Sequence, residues 1–168
     1  MVVSPLSRAI QTASIGFANA TTSTGVRVVA PPFVATSLAR ERVWVHTCDR
    51  RRSRAVLEAQ FAHVDFSEVA EGDDDMWAHK EDEPSADDSR AASQRARLLL
   101  QWLWERPERD IAIVTHWVFL RQLFRLFPVR REWSDRFGNV EMRHVTLTLS
   151  AEGSGVASAG PKRTKDEV

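Results

Sequence analysis

The sequence of 168 residues lacks the features that mark several protein classes. It has one cysteine, Cys48, which excludes an internal disulfide and fits a reducing compartment, so we expect a cytoplasmic protein. Every apolar run is much shorter than the roughly 20 residues that cross a membrane, and the first residues lack the pattern of an export signal. We therefore expect a soluble protein with no membrane segment.

The sequence also lacks a surplus of either charge. Lys plus Arg and Asp plus Glu each number 23, so no broad electrostatic field attracts nucleic acid or an anionic membrane, and we expect neither as a partner. The arginine run at residues 50–52, with Arg54, is more typical of a solvated helix face than of a site for an anionic substrate tail, although the second interpretation stays open. Any anion site must therefore be local.

Metal and nucleotide motifs are missing as well. The residues that could ligate zinc lack its usual spacing, and there are no paired Cys-x-x-Cys motifs. No glycine-rich loop is followed by Lys-Ser or Lys-Thr. We expect no metal and no cofactor.

Two short apolar runs, each leading into a helical pattern, are the most informative features present. Val2 and Val3 precede a Ser-Pro turn and a helical segment that opens near Arg8, and residues 111–115 precede His116 and a second helical segment. At such a junction, backbone N–H groups and a guanidinium can face the same anion. Taken alone, His116 is more typical of capping or packing, and Arg8 of a solvated first turn; together they favour a phosphate site.

The wider pattern predicts helices that alternate with apolar strands. We expect a buried strand over residues 26–30, a loop over 33–42 and strands over 111–115 and 145–149. Helices are predicted over residues 8–19, 50–61, 90–105 and 118–127, and a mobile acidic loop contains residues 72–75 and 81–88. This pattern predicts an α/β protein, a mostly parallel sheet covered by helices on both faces, with its ligand at the carboxyl ends of the strands. The domain should span residues 1–150, and residues 151–168 should form a disordered tail.

Three blocks of sequence resemble the histidine phosphatase superfamily, also called phosphoglycerate mutase-like. The blocks are Ser4-Pro5-Leu6-Ser7-Arg8-Ala9-Ile10-Gln11-Thr12-Ala13, then Glu41, then Val114-Thr115-His116 followed by Phe119-Leu120-Arg121. Within the superfamily, residues 48–52, 105–108 and 138–143 resemble phosphoglycerate mutase-like proteins of eukaryotes. The resemblance covers about residues 2–149 and implies a three-layer α/β/α fold.

The resemblance also implies roles for three residues. Arg8 is the second phosphate-clamping arginine, His116 the second pocket histidine, and Glu41 the candidate acid that protonates the leaving group. From its loop position alone, an exposed glutamate with no catalytic role is an equally good interpretation of Glu41.

In the superfamily, a histidine within an Arg-His-Gly motif attacks phosphorus and becomes phosphohistidine. This sequence contains no Arg-His-Gly, and its Arg143-His144 pair precedes the last predicted strand, which indicates a structural role. We therefore expect that the first strand of the family pattern is missing, through an incomplete N-terminus. Loss of a central strand would expose edges on both neighbouring strands.

The leading hypothesis is a phosphatase that hydrolyses a small phosphorylated substrate through phosphohistidine, inactive or impaired in the chain as it stands. The alternative is a non-catalytic phosphate-binding or regulatory protein that has the pocket without the nucleophile. A nucleic-acid-binding module built on the arginines near residue 50 is a distant third.

Overall fold

The computed structural model describes residues 1–44, 46–78, 90–130, 134 and 137–148. Its strands are β1 (Val2–Val3), β2 (Ala20–Thr21), β3 (Arg27–Val28), β4 (Phe33–Thr36), β5 (Val64–Glu68) and β6 (Ile113–Val114). Its helices are α1 (Ser7–Gly16), α2 (Arg54–Gln60), α3 (Asp75–Ala78), α4 (Arg90–Trp104) and α5 (Trp117–Phe124). Two single 3₁₀ turns, Ser37–Ala39 and Thr47–Asp49, follow β4 and precede α2.

Four strands form one parallel sheet in the order β5-β4-β1-β6. The short strand β1 is central, because Val3 is in register with Ala35 of β4 on one side and with Val114 of β6 on the other. The prediction of an α/β fold with a mostly parallel sheet is confirmed. All four strands end at the same edge, which is where a parallel sheet gathers its ligand-binding residues.

Helices cover both faces of this sheet. Successive residues of a strand point to opposite faces, so Val3 packs with α1 and α2 whereas Val2 packs with α4 and α5. Helix α4 buries Ala92, Ala96 and Leu99, which share one face at helical spacing. The three-layer α/β/α arrangement thus has two apolar cores, one on each side of the sheet.

The strand predicted over residues 26–30 is present as Arg27–Val28, but the prediction that it is buried is wrong. β3 pairs antiparallel with β2 in a separate two-stranded hairpin, whose turn includes Gly25 at a φ of 81°. Because this pairing lies outside the main sheet, Val26, Val28 and Val29 stay exposed. An apolar run alone did not reveal which partner the strand would find.

The loop predicted over residues 33–42 is also wrong in its first part. Phe33 and Ala35 are buried, and β4 pairs with both β1 and β5. Strand β5 was not predicted, although Val64 and Phe66 are buried and alternate with exposed residues.

The last predicted strand is not formed in its described part. Residues 145–148 have no strand pairing, and Leu147 is exposed. Within the described residues, β6 pairs only with β1, so its other edge is open, whereas β1 is paired on both sides. The expected loss of a central strand, with open edges on both of its neighbours, is not tested by this pairing and stays a prediction.

Several predicted features lie wholly or partly outside the described residues, namely the acidic stretch 81–88, residue 149 and the tail 151–168. The helix predicted over residues 90–105 is confirmed, and those over 50–61 and 118–127 are shorter, as α2 and α5. None of the described helices is long and apolar enough to cross a membrane.

Candidate active site

Two strand–helix junctions meet at the carboxyl edge of the sheet. After β1, the Ser4 N–H donates to the Val114 carbonyl at 3.0 Å, and the chain turns through Pro5 into α1. After β6, the chain reaches His116, the residue that precedes α5. The Ser4 hydroxyl oxygen lies 2.8 Å from Nε2 of His116, and both residues are buried. A direct hydrogen bond therefore joins the two motifs that the sequence analysis singled out.

Arg8 lies in the first turn of α1, with 41% of its side chain exposed. Its Nη2 donates to Oδ1 of Asp49 at 2.9 Å, and its Nη1 donates to the carbonyl oxygen of Cys48. The 3₁₀ turn Thr47–Asp49 thus holds the guanidinium in place. The partial exposure leaves this cation accessible from solvent.

His116 is a buried neutral imidazole. Burial lowers the pKa of His116 to about 3, and the positive charges of Arg8 and Arg40 add to this effect. Apart from the Ser4 contact of Nε2, its ring makes no hydrogen bond within the part of the chain that the structure describes. Nδ1 is therefore the ring atom left for a ligand.

Glu41 reaches the N-terminus of α5 from the loop after β4. Its Oε1 accepts hydrogen bonds from the N–H groups of Arg42 and Phe119, both at 2.9 Å, and its Oε2 accepts from Val118 at 3.3 Å. Burial raises the pKa of Glu41 even though these N–H groups favour the ionised form. The sequence predicted that N–H groups at this junction can face an anion. For Val118 and Phe119 this prediction is wrong, because Glu41 accepts hydrogen bonds from both.

The N-terminus of α1 is different. Leu6 stands at its cap position and offers no side-chain hydrogen bond. Among the described residues, no hydrogen bond uses the N–H groups of Ser7 or Arg8. The first turn of a helix normally leaves such donors for solvent or an anion, so here they complement the Arg8 guanidinium.

Arg40 is a site residue to which the sequence analysis gave no role. Only 1% of its side chain is exposed, and its guanidinium bonds both carboxylate oxygens of Asp74 and the carbonyl oxygen of Asp49. It therefore supports the same turn that holds Arg8. Its position directly before Glu41 was the available signal.

Asp74 corrects the prediction of a mobile loop over residues 72–75. It is buried and also accepts the Arg51 N–H at 2.7 Å. Burial alone would raise the pKa of Asp74, but the hydrogen bonds from Arg40 and Arg51 hold it below its ordinary value. The Arg51 side chain donates to the carbonyl oxygens of Gly72 and Asp73. These contacts fix the segment against the site.

Arg8 lines an open groove of about 610 Å³. The arginines of residues 50–52 line it but are not equivalent, since Arg51 turns inward and Arg52 donates to Gln60 at 2.7 Å. Arg50 is exposed, and its side chain makes no hydrogen bond to any described residue. No cluster of three metal-ligating side chains occurs among the described residues.

Three relatives match most of this chain. A phosphoglycerate mutase-like protein of Arabidopsis thaliana is 32% identical over 173 residues, which cover 88% of this chain and 62% of the relative. Phosphoglycerate mutase-like proteins 1 and 2 of the same plant are 35% and 29% identical, over 70% and 88% of this chain and 42% and 56% of their own lengths. These similarities to phosphoglycerate mutase-like proteins confirm the resemblance to the histidine phosphatase superfamily. No family model and no solved structure matches it.

The chain spans less than two thirds of the length of each of these relatives. Of the three residues that the resemblance singled out, Glu41 and His116 meet at the N-terminus of α5. Arg8 is near enough for its charge to lower the pKa of His116. Arg40 and Asp49 extend this group. The arrangement combines accessible cationic and N–H donors with a neutral imidazole and a buried carboxyl group.

Proposed function

We propose that this chain forms the phosphate-binding part of a phosphatase site that hydrolyses a small phosphate monoester. Arg8 would clamp the phosphoryl oxygens with its guanidinium, and His116 would donate a hydrogen bond to them. The hydrogen bond between Ser4 and His116 carries this proposal, because it brings both strand–helix junctions to one point at the carboxyl edge of the sheet. A cytoplasmic location is part of the proposal, supported by the single cysteine.

Glu41 is the proposed acid that protonates the leaving oxygen. Its raised pKa supports this role, since burial increases the fraction of the carboxyl group that carries a proton. To act, the carboxyl group must release at least one of the N–H donors that it now caps. Its function therefore competes with the stability of the first turn of α5.

The reaction also needs a nucleophile in line with the leaving group, and the sequence has no Arg-His-Gly motif. The edge of β6 away from β1 is unpaired within the described residues, and its carboxyl end adjoins His116. A further parallel strand that ends in a histidine would fit this edge. Without one, we expect the chain to bind phosphate and to hydrolyse esters poorly.

A non-catalytic phosphate-binding or regulatory protein is the second candidate. The engagement of both Glu41 carboxylate oxygens as a helix cap favours it, because this carboxyl group then has a structural reason to be present. In that case the pocket binds phosphate, and adding a nucleophile segment would not produce hydrolysis.

The first experiment measures binding of inorganic phosphate and orthovanadate to the full chain by calorimetry. Arg8→Ala should weaken binding about tenfold or more, because it removes charge-assisted hydrogen bonds. Arg50→Ala is the matched control, since Arg50 is an exposed arginine that lines the same groove as Arg8. A larger loss in Arg50→Ala than in Arg8→Ala would place the anion site at Arg50 and contradict the role of Arg8. A chain ending at residue 150 should bind as well as the full chain, because we propose residues 1–150 as the domain.

The second experiment separates the two candidates. A fused segment that supplies a strand ending in Arg-His-Gly should create phosphatase activity through an acid-labile phosphoenzyme. That activity should fall sharply in His116→Ala. In Glu41→Gln it should fall more with alkyl than with activated aryl phosphates, whose leaving groups need little protonation. No activity in the fusion would favour the non-catalytic candidate. Brisk hydrolysis by the unfused chain would contradict the need for a further nucleophile and direct attention to His144.

A further inference from the structure

Ser4 and His116 form a buried hydrogen-bonded pair, and the position of the proton on each group follows from their other partners. Ser4 is fully buried after β1, and its hydroxyl oxygen lies 2.8 Å from Nε2 of His116, 112 positions along the chain. A serine hydroxyl has one proton to donate and can accept through its oxygen. Either atom of the contact could be the donor, so the other partners of Ser4 decide.

The Ser4 hydroxyl oxygen has one further partner. It accepts a long hydrogen bond of 3.4 Å from the Leu6 N–H. Within the described part of the chain, Nε2 of His116 is the only acceptor for the Ser4 hydroxyl proton. If Nε2 carried a proton itself, the Ser4 hydroxyl would be an unpaired donor in a fully buried side chain, which is costly.

The imidazole is neutral, so it carries one proton. When the Ser4 hydroxyl donates to Nε2, that nitrogen must be the unprotonated one. The proton then lies on Nδ1, which makes no hydrogen bond to any described residue. We infer that Ser4 is a positioning residue that selects the Nδ1–H tautomer of His116 and so makes this ring a hydrogen-bond donor toward its ligand.

The tautomer decides the sign of the interaction with an anion. An Nδ1–H group attracts a phosphate oxygen, whereas the opposite tautomer presents a lone pair that repels it. Arg8 and Arg40 already supply positive charge near this ring. The neutral ring thus adds a hydrogen-bond donor to the site without adding a third positive charge. The identification of the ligand as phosphate rests on the proposed function, whereas the assignment of the tautomer does not.

The test is ¹⁵N NMR of the histidine ring nitrogens in the labelled full chain at neutral pH, without phosphate. His116→Gln identifies the His116 signals. We expect Nδ1 to show the shift of a protonated nitrogen and Nε2 that of an unprotonated one. A protonated Nε2 would overturn the inference. This measurement needs no variant of Ser4, so it decides even if such variants fold poorly.

Two variants test the cause. Ser4→Ala should move the His116 signals toward a tautomer mixture, and Ser4→Thr, which retains a hydroxyl, should restore the wild-type pattern. Ser14→Ala is the matched control, because Ser14 forms an exposed pair with His63, also at 2.8 Å. It should leave His116 unchanged. An unchanged tautomer in folded Ser4→Ala would overturn the role of Ser4.

Titration with inorganic phosphate separates this inference from the proposed function. Phosphate should shift the Nδ1–H signal, and Ser4→Ala should weaken phosphate binding about three- to tenfold. An Nδ1–H tautomer that does not respond to phosphate would support the role of Ser4 and overturn the proposed pocket. Phosphate binding to a ring with protonated Nε2 would support the pocket and overturn the role of Ser4.

Discussion

The two strand–helix junctions share one plan but differ in what they leave available. At β1–α1, the strand is paired on both sides, the helix N-terminus has no side-chain cap, and the cation is partly exposed. At β6–α5, the strand is paired on one side within the described residues, Glu41 caps the helix, and the imidazole is buried. One junction presents charge and free donors. The other presents a neutral, fixed ring.

In the phosphate site that we propose, this difference would let an anion bind without a third buried positive charge. A protonated imidazole near Arg8 and Arg40 would bring a third positive charge into a buried place, which the low pKa of His116 prevents. The carboxyl group of Glu41 belongs to the neutral junction and that of Asp49 to the charged one, and both residues are buried. The predictions below test each side of this division.

The largest effect is expected from Asp74→Ala, which removes the support that Arg40 gives to the Arg8 junction. It leaves a guanidinium buried without its counter-ion and should reduce the free energy of unfolding by about 3–5 kcal/mol, measured by urea denaturation. Asp73→Ala is the control, because only the Asp73 carbonyl oxygen contacts Arg51. Equal losses in the two variants would contradict the burial of this pair. The double variant Arg40→Met with Asp74→Leu should recover part of the lost stability, since it removes both charges of the pair while the Arg51 and Trp77 N–H groups still lose this acceptor.

The next effect is a pH dependence from His116. Its folded pKa of about 3 lies below the ordinary value of 6.5, so between these values the unfolded chain binds a proton that the folded chain does not. Stability from this group is therefore complete above pH 6.5 and is lost as pH falls.

Relative to His116→Gln, the wild-type chain should lose about 1.4 kcal/mol of unfolding free energy per pH unit below about pH 6. The raised pKa of Glu41 acts in the opposite direction but is common to both proteins, so it cancels in the difference. Urea denaturation across pH 4.5–7.5 measures the two slopes. Parallel curves would show that the imidazole is not buried in its neutral form.

Substitutions of Glu41 should have a smaller effect on the free energy of unfolding than the changes above. Glu41→Ala removes the carboxylate that accepts from Val118 and Phe119 and should cost about 1–2 kcal/mol, as loss of a helix cap does. Glu41→Gln should cost less than half of this, because one amide oxygen still accepts and no charge is buried. Thermal unfolding compares the two. An equal cost would show that the negative charge, and not the cap geometry, stabilises α5.

Asp49→Asn should have the smallest effect on stability, under about 1 kcal/mol, because its partner Arg8 is partly exposed. Phosphate affinity should rise about two- to fivefold at low salt, since a carboxylate next to the clamp repels an anion. The gain should shrink at high salt. Glu58→Gln, which breaks the surface pair with Arg54, is the control. Weaker phosphate binding in Asp49→Asn would show instead that Asp49 orients Arg8 for its ligand.

The parts of this fold that could be predicted from sequence are those with local signals. The helix predicted over residues 90–105 is observed as Arg90–Trp104, because its buried face repeats every three to four residues. Both junctions could be located, since a short apolar run before a helical pattern needs no knowledge of distant contacts. The alternation around Val64 and Phe66 was an available signal for β5.

What could not be predicted depends on pairing across the chain. Residues 26–30 and 33–36 are both apolar runs, yet only the second joins the main sheet. Nothing local distinguishes Asp74, which bonds Arg40, from the acidic residues beside it. The cap that Glu41 provides to α5 likewise spans 78 positions in sequence.

The buried carboxylate of Asp74 has a consequence for loop-exchange experiments. The stretch between α2 and α4 is an obvious segment to swap between relatives in order to transfer substrate preference. One part of it belongs to the scaffold, because Asp74 joins Arg40, the Arg51 backbone and the Trp77 N–H. A graft that starts at Phe61 would remove this anchor, and a resulting loss of phosphate binding would reflect the lost support of Arg40 and not a changed ligand preference. The exchange should therefore begin after Trp77.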